Sequence, residues 1–299
     1  VALLAGAVGA SLALLVARTG GALTIDGVRT VTVAETQGEP PAATVADLPA
    51  TGFDARRIYR ERTAGVVTVT ATIGANIVSG SGFVVSTKGL LLTNAHVVTT
   101  SPDARTAADV KRARRVYVRF ADGNSLPATI VGYDLFDDIA VLRVDPRREH
   151  LVALTFGRTA SLRVGDPLAV IGSPFGKDQA ESLSIGVVSA LGREIQAPAV
   201  SFSTPNAIQT DAAINHGNSG GPVFDARGRV VGVAAQIEST GGGGEGVGFA
   251  IPVEAAKRSL SEILRHGTVR YAWLGVSTEP VTRELARQFR LAVTSGLLV

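Results

Sequence analysis

From Val66 onward, short apolar runs rich in β-branched residues are cut at intervals by glycine: "VVTVTAT", "SGFVVST", "LLLTNAHVV", "RVYVRF", "ATIVGY", "IAVLRV", "LAVIG", "IGVVSAL", "VVGVAAQ" and "VGFAIP". Ten such runs with turn residues between them predict the short strands of an all-β sandwich or barrel. The period changes at "VEAAKRSLSEILRHG". There Val253, Ala256, Leu260, Ile263 and Leu264 share one helical face, and Gly267 is placed to end the helix. Ahead of the first strand, "ARRIYRERTA" predicts a short helix with Asp54 as its N-cap. The β-rich domain is expected over residues 54–267.

The flanks have a different texture. "VALLAGAVGASLALLVA", Val1 to Ala17, carries no charge before Arg18 and falls slightly short of the ~20 residues that span a bilayer. It lacks the amphipathic period of a buried core helix. No small-x-small site follows it closely, so residues 1–18 read as an uncleaved membrane anchor in preference to a cleaved signal peptide. Either reading puts the rest outside the cytoplasm, in a periplasmic or extracellular space. Residues 19–53, with "TVAETQGEPPAATVADLPATGFD" running into Asp54, read as an extended linker. Residues 268–299, "TVRYAWLGVSTEPVTRELARQFRLAVTSGLLV", are too few to fold alone and read as the opening of a second domain. The chain has no methionine and opens inside an apolar run, so it is expected to be a fragment of a longer protein.

Composition narrows the chemistry. Hydrophobic residues make up 45% and charged residues 18% of the chain, with 34 glycines, as in a folded, turn-rich protein. The net charge of +3, from 29 basic and 26 acidic residues, implies no nucleic-acid partner. The densest basic run, "KRARR" from Lys111 to Arg115, lacks interleaved aromatics and reads as a solvated face. The absence of cysteine removes disulfides, thiolate nucleophiles and most zinc sites. "GGGGEG", Gly241 to Gly246, contains G-x-G-x-x-G but follows no βαβ pattern, so it reads as a loop, not a nucleotide site. His150 and His266 lack metal-ligand spacing. Neither a metal nor any other cofactor is expected.

One constellation remains. Ser219 lies in "AINHGNSGGPVFD", and "GNSGG" also fits the strand-to-helix elbow of α/β-hydrolases. That elbow needs a histidine after the serine, and the only one downstream is His266, at the end of the predicted helix. Upstream, "TNAHVV" places His96 at the end of a predicted strand and "DDIAVL" places Asp138 at the start of another. The order His, Asp, Ser on a β-rich chain is one of the convergent triad orders. A serine hydroxyl needs a base within hydrogen-bond reach, the role expected of His96. The imidazolium needs a fixed tautomer and a compensating carboxylate, expected from Asp138. Asp134 and Asp137 compete for that role, but only Asp138 abuts the apolar strand. The turn Gly217, Asn218, Ser219 is the expected oxyanion hole, with the N–H groups of Gly217 and Ser219 as donors.

The segments "GSGFVVSTKGLLLTNAHVV", "FDDIAVLRV", "RVGDPLAVIGSPFG", "GVVSALGRE", "IQTDAAINHGNSGGPVFD" and "GVGFAIP" resemble the HtrA/DegP family of trypsin-like serine proteases from Val66 to about Gly267. The resemblance implies a chymotrypsin/trypsin-like double β-barrel with the active site between the barrels, peptide-bond hydrolysis, a homotrimer and a C-terminal PDZ domain. "YAWLGV" is similar to the start of that PDZ domain, with Trp273 to Val276 at its carboxylate-binding loop. Departures are an alanine within "TNAHVV", His216 at a position where arginine or proline is common, and an insertion, "TTSPDARTAADVKRA", after His96. The resemblance also implies a substrate-binding set of Ala213, Ile214, Phe249 and Ala250. Ala213, six residues before the serine, would form the base of the specificity pocket. With no acid there, small or medium aliphatic P1 residues are expected. Neutral Asn218 before the serine argues against activation by a freed N-terminal amine.

The expected function is a membrane-tethered serine endopeptidase acting on unfolded or damaged extracytoplasmic polypeptides through an acyl-enzyme. A catalytically latent chaperone or signalling scaffold is the alternative from another class. The stretches "GSPFGKDQAES" and "QAPAVSFSTPN" would serve as its mobile loops. An α/β-hydrolase esterase is the third reading.

Overall fold

A computed structural model describes residues 52–100, 110–173, 181–196, 203–215, 217–235, 247–272 and 279–298. The expected anchor over 1–18, most of the linker, the glycine-rich loop Gly241 to Gly246, His216 and the segment from Trp273 to Val276 lie outside them. Asp54 caps the first helix, α1 (Ala55–Arg62), its carboxylate accepting the Arg57 N–H at 2.9 Å. Ile58 is the buried residue of that helix. The chain then runs through β1 (Val66–Ile73), β2 (Asn76–Ser86) and β3 (Leu90–Thr93), a single helical turn α2 (Ala95–Val98), and the paired β4 (Thr99–Thr100) and β5 (Lys111–Arg112). β6 (Arg115–Phe120), β7 (Ser125–Asp134) and β8 (Ile139–Arg143) follow, and the first barrel closes in the order β1-β2-β3-β8-β7-β6.

A second closed barrel uses β9 (Pro167–Gly172), β10 (Ser182–Gln196), β11 (Ser203–Thr210), β12 (Pro222–Phe224), β13 (Val230–Ala235) and β14 (Gly248–Pro252), in the order β10-β11-β14-β13-β12-β9. Next come α3 (Val253–His266), the short β15 (Glu279–Pro280), α4 (Arg283–Gln288) and β16 (Leu297–Leu298), which pairs with β15. Two six-stranded closed barrels exclude the α/β-hydrolase elbow, whose serine must stand between a strand and a helix. Ser219 instead precedes β12. Among the described residues no helix is long and apolar enough to cross a membrane.

Strand alternation decides what each barrel buries. Along β1, Val67, Val69, Ala71 and Ile73 join one apolar cluster with Leu91, Val118 and Leu142, inside the first barrel. Val66 points the other way, opposite Phe83 in the β1–β2 register, and Phe83 in turn faces Leu92. These side chains enter a separate layer with Ile139, Ile171, Phe224 and Ile251, so barrel meets barrel across an apolar seam. Phe83 is fully buried there and meets Phe156 edge to face, with ring centroids 6.4 Å apart. A phenylalanine so placed contributes about 3–5 kcal/mol relative to alanine. Leu168, Val170, Val188, Ile208, Val223 and Val231 fill the second barrel.

Several expectations need correction. "LLLTNAHVV" is not one strand: β3 stops at Thr93, and His96 sits on the helical turn that follows. The stretch "QAPAVSFSTPN", expected as a loop, gives its first residue Gln196 to the end of β10 and Ser203 to Asn206 to the start of β11, while residues 197–202 lie outside the described residues. On α3 the buried residues are Val253, Ala256, Ser259 and Ile263, whereas Leu264 is exposed. Gly267 ends that helix, donating its N–H to the Ile263 carbonyl. Within "KRARR" the four cationic residues are exposed and only Ala113 is buried.

Candidate active site

Two elements of the first barrel bring His96 and Asp138 together. The chain turns from β7 into β8 through Asp138, whose φ of 50° is left-handed, a conformation aspartate tolerates better than most residues. Its carbonyl oxygen accepts the Ala95 N–H at 3.1 Å and the Asn94 Nδ2 at 2.8 Å. That pair of bonds ties it to the start of α2. The carboxylate grips the next residue twice: Oδ1 accepts the His96 N–H at 2.9 Å, and Oδ2 lies 2.7 Å from His96 Nδ1. A carboxylate only accepts, so a hydrogen on Nδ1 is committed to it, and in the neutral ring the lone pair is left to Nε2. Burial disfavours the imidazolium. The Asp138 charge and hydrogen bond more than offset this, and the His96 pKa stands above its ordinary value.

Ser219 comes from the second barrel. Asn218 donates its N–H to the Asn215 carbonyl at 3.0 Å, closing a turn in which Gly217 has a φ of 99°. Gly220 follows at φ 84°, and a Cβ there would lie 2.3 Å from the Ser81 carbonyl oxygen and 2.4 Å from Thr93 Oγ1. Only glycine lets this turn lie against the β3–α2 junction that leads to His96. The Ser219 carbonyl accepts the Ser81 N–H at 2.8 Å, and the Gly220 N–H goes to Ala234 at 2.8 Å. Ser219 Oγ is buried and makes no hydrogen bond to another protein group. The bond to His96 Nε2 is therefore not formed. The Asn218 N–H is spent on Asn215 and is not free to face an anion; the donors expected in this turn are the N–H groups of Gly217 and Ser219.

The other expected residues separate. Asn218 Nδ2 donates to the Ala213 carbonyl at 3.2 Å, so the side chain before the serine braces the residue expected at the pocket base. Ala213 is exposed and Ile214 half-buried. Ile214 packs over Gly248, where a Cβ would lie 3.0 Å from its Cδ1. Phe249 is half-buried, but Ala250 is fully enclosed in the second barrel's core, so its side chain cannot reach a substrate.

Asp134 and Asp137 face α3. Asp134 Oδ2 accepts from Ser259 Oγ at 2.7 Å and from the Tyr271 hydroxyl at 2.6 Å. Asp137 pairs with the Arg258 guanidinium, which also stacks 4.8 Å from the Tyr271 ring centroid. Burial and then the nearby Asp134 charge raise the Asp137 pKa, against the pull of Arg258. Sequence reasoning missed Asn94, Ser81, Ser173 and Thr68, all buried around this site. "GSGF" was part of the family signature, but nothing in one sequence distinguishes its serine from a small strand residue. Among the described residues no group of three or more His, Asp or Glu side chains could hold a metal ion.

Comparison with known proteins agrees with this architecture. A model of the trypsin-like peptidase domain matches residues 80–233. The chain is 41% identical over 221 residues to a Halomonas elongata protein named "Probable periplasmic serine endoprotease DegP-like", covering 74% of this chain and 42% of the relative. A Brucella suis protein of the same name is 39% identical over 224 residues, or 75% and 40% of the two chains. The chain thus spans about two-fifths of the length of these relatives. Among solved structures, the HtrA-type protease AlgW with tripeptide superposes with a TM-score of 0.68 at 36% identity, covering 82% of this chain and 75% of that one. Deg5 does so with a TM-score of 0.58 at 34% identity, covering 72% and 95%. With the double barrel, these matches establish that the chain belongs to the HtrA/DegP family of trypsin-like serine proteases.

Proposed function

We propose that this chain is the protease portion of an extracytoplasmic serine endopeptidase that cleaves unfolded or damaged polypeptides. The observation that carries this reading is the double grip of Asp138 on His96 beside the turn that buries Ser219. Ser219 Oγ attacks the scissile carbonyl while His96 Nε2 takes its proton, and Asp138 compensates the imidazolium. The N–H groups of Gly217 and Ser219 receive the oxyanion. His96 then protonates the departing amine, and water releases the acyl group by the reverse path. Ala213, Ile214 and Phe249 bound a small P1 pocket with no buried acid, which favours small or medium aliphatic residues. The periplasmic names of the relatives support action outside the cytoplasm. Tethering through residues 1–18, a homotrimer and a PDZ domain opening at residue 268 complete the proposal.

One observation favours a second reading, a latent scaffold that binds misfolded chains: Ser219 Oγ has no protein partner. Casein cleavage with and without activating peptides separates the two, since a pure scaffold never cleaves. Ser219→Ala is expected to abolish proteolysis and fluorophosphonate labelling, and retained turnover would move the chemistry elsewhere.

A further inference from the structure

Beneath the turn that carries Ser219 runs a line of buried hydroxyls that the reaction scheme does not use. Ser81, on β2, is fully buried. Its Oγ lies 2.5 Å from the Gly217 carbonyl oxygen and 2.8 Å from the Ser173 N. A carbonyl only accepts and an amide N–H only donates, so the hydroxyl hydrogen is committed to Gly217 and an oxygen lone pair to Ser173. The Ser81 N–H meanwhile donates to the Ser219 carbonyl. One residue thus grips both ends of the segment 217–219. Ser173 Oγ is in turn 2.6 Å from Thr68 Oγ1 on β1, so the line joins the two barrels.

Such a brace matters because of what Gly217 lacks. At φ 99° with no side chain, its own sterics do not fix the orientation of the adjoining peptides. Hydrogen bonds from outside must do so. Donation to the Gly217 carbonyl holds the Gly217–Asn218 peptide and polarises it, strengthening the Asn218 N–H bond to Asn215 that closes the turn.

We propose that Ser81 is the positioning residue of the oxyanion turn, its hydroxyl holding the Gly217 carbonyl so that the Gly217 and Ser219 N–H groups aim at the developing negative charge. The assignment rests on the proteolytic reading above. Removing a direct oxyanion donor costs about 10²–10³-fold in kcat, and losing a brace one bond away costs about 10- to 100-fold.

The test compares wild type with Ser81→Ala for kcat and KM on a chromogenic peptide, affinity for a peptidyl boronate that forms a tetrahedral adduct, and melting temperature. The expected result is a 10- to 100-fold lower kcat, KM within about two-fold, and boronate affinity falling in step with kcat. A lower melting temperature with kcat and boronate affinity unchanged would reduce Ser81 to a structural hydroxyl and overturn the proposal. Should Ser81→Ala fail to fold, Ser81→Cys keeps the size with a weaker donor. It is expected to weaken boronate binding, and unchanged binding there overturns the proposal equally. The two readings fail separately. A wild type that neither cleaves nor takes the fluorophosphonate removes the protease reading. A Ser219-dependent wild type matched by Ser81→Ala removes only this one.

Discussion

His96 is held by Asp138 at two points, through its backbone N–H and through ring Nδ1, so one carboxylate fixes both the helical turn and the imidazole it presents. Asparagine also tolerates the left-handed backbone at this position. Asp138→Asn is therefore expected to fold with a near-normal melting temperature. Its amide turns one acceptor into a donor, the ring loses its tautomer, and kcat falls by about 10⁴-fold. Steady-state kinetics beside a thermal melt check both halves.

The raised His96 pKa fixes the direction of the pH dependence. A general base must be neutral, so the acid limb of kcat/KM is expected above the ordinary value of 6.5. For stability, a raised folded-state pKa means that the contribution is full below the unfolded-state value and is lost as pH rises through the folded one. A pH–rate profile with its acid midpoint at or below 6.5 would contradict the assignment.

Gly220→Ala adds a methyl group to a left-handed residue and drives it onto the Ser81 carbonyl and Thr93 hydroxyl. Backbone strain alone accounts for about 1–3 kcal/mol, and the clash adds to it. A destabilised, inactive protein is expected. Urea unfolding and fluorophosphonate labelling together test this.

Arg258→Ala leaves the Asp137 carboxylate beside Asp134 without its cation. The guanidinium is half-exposed. The loss is therefore expected at about 1–2 kcal/mol, below the 3–5 of a fully buried pair. Protonating Asp137 relieves the repulsion, so the variant's melting temperature is expected to deviate more from wild type at pH 8 than at pH 5.

Ile214→Ala removes the side chain that covers Gly248. A wider pocket follows, and the kcat/KM ratio for leucine over alanine at P1 is expected to rise about 10-fold. Profiling with a peptide library measures that ratio, and cleavage mainly after arginine by the wild type would refute the aliphatic preference itself.

The barrels were legible because period-two burial leaves its trace in runs such as "VVTVTAT". β11 was not. It begins with "STPN", whose Pro205 and Asn206 are exposed and whose Asn206 has a φ of 62°, so polarity and bulged geometry hide it. β12 spans only three residues. Val97 and Val98 made α2 look like strand, since their burial in the first barrel is set by tertiary packing and not by helix propensity. Adjacency to an apolar strand pointed to Asp138 among three acids, and it is the one bonded to His96, while Asp134 and Asp137 turn to α3. Ser81 could not be picked out. Its partner Gly217 lies 136 positions along the chain.

The hydroxyl line has one more consequence. His96 and Asp138 belong to the first barrel and Ser219 to the second, and the line is anchored on both. A half-finished chain with one barrel formed would therefore hold only part of the proposed triad. Under the proposed scheme, proteolytic competence would then depend on completion of both barrels, since neither holds all three groups.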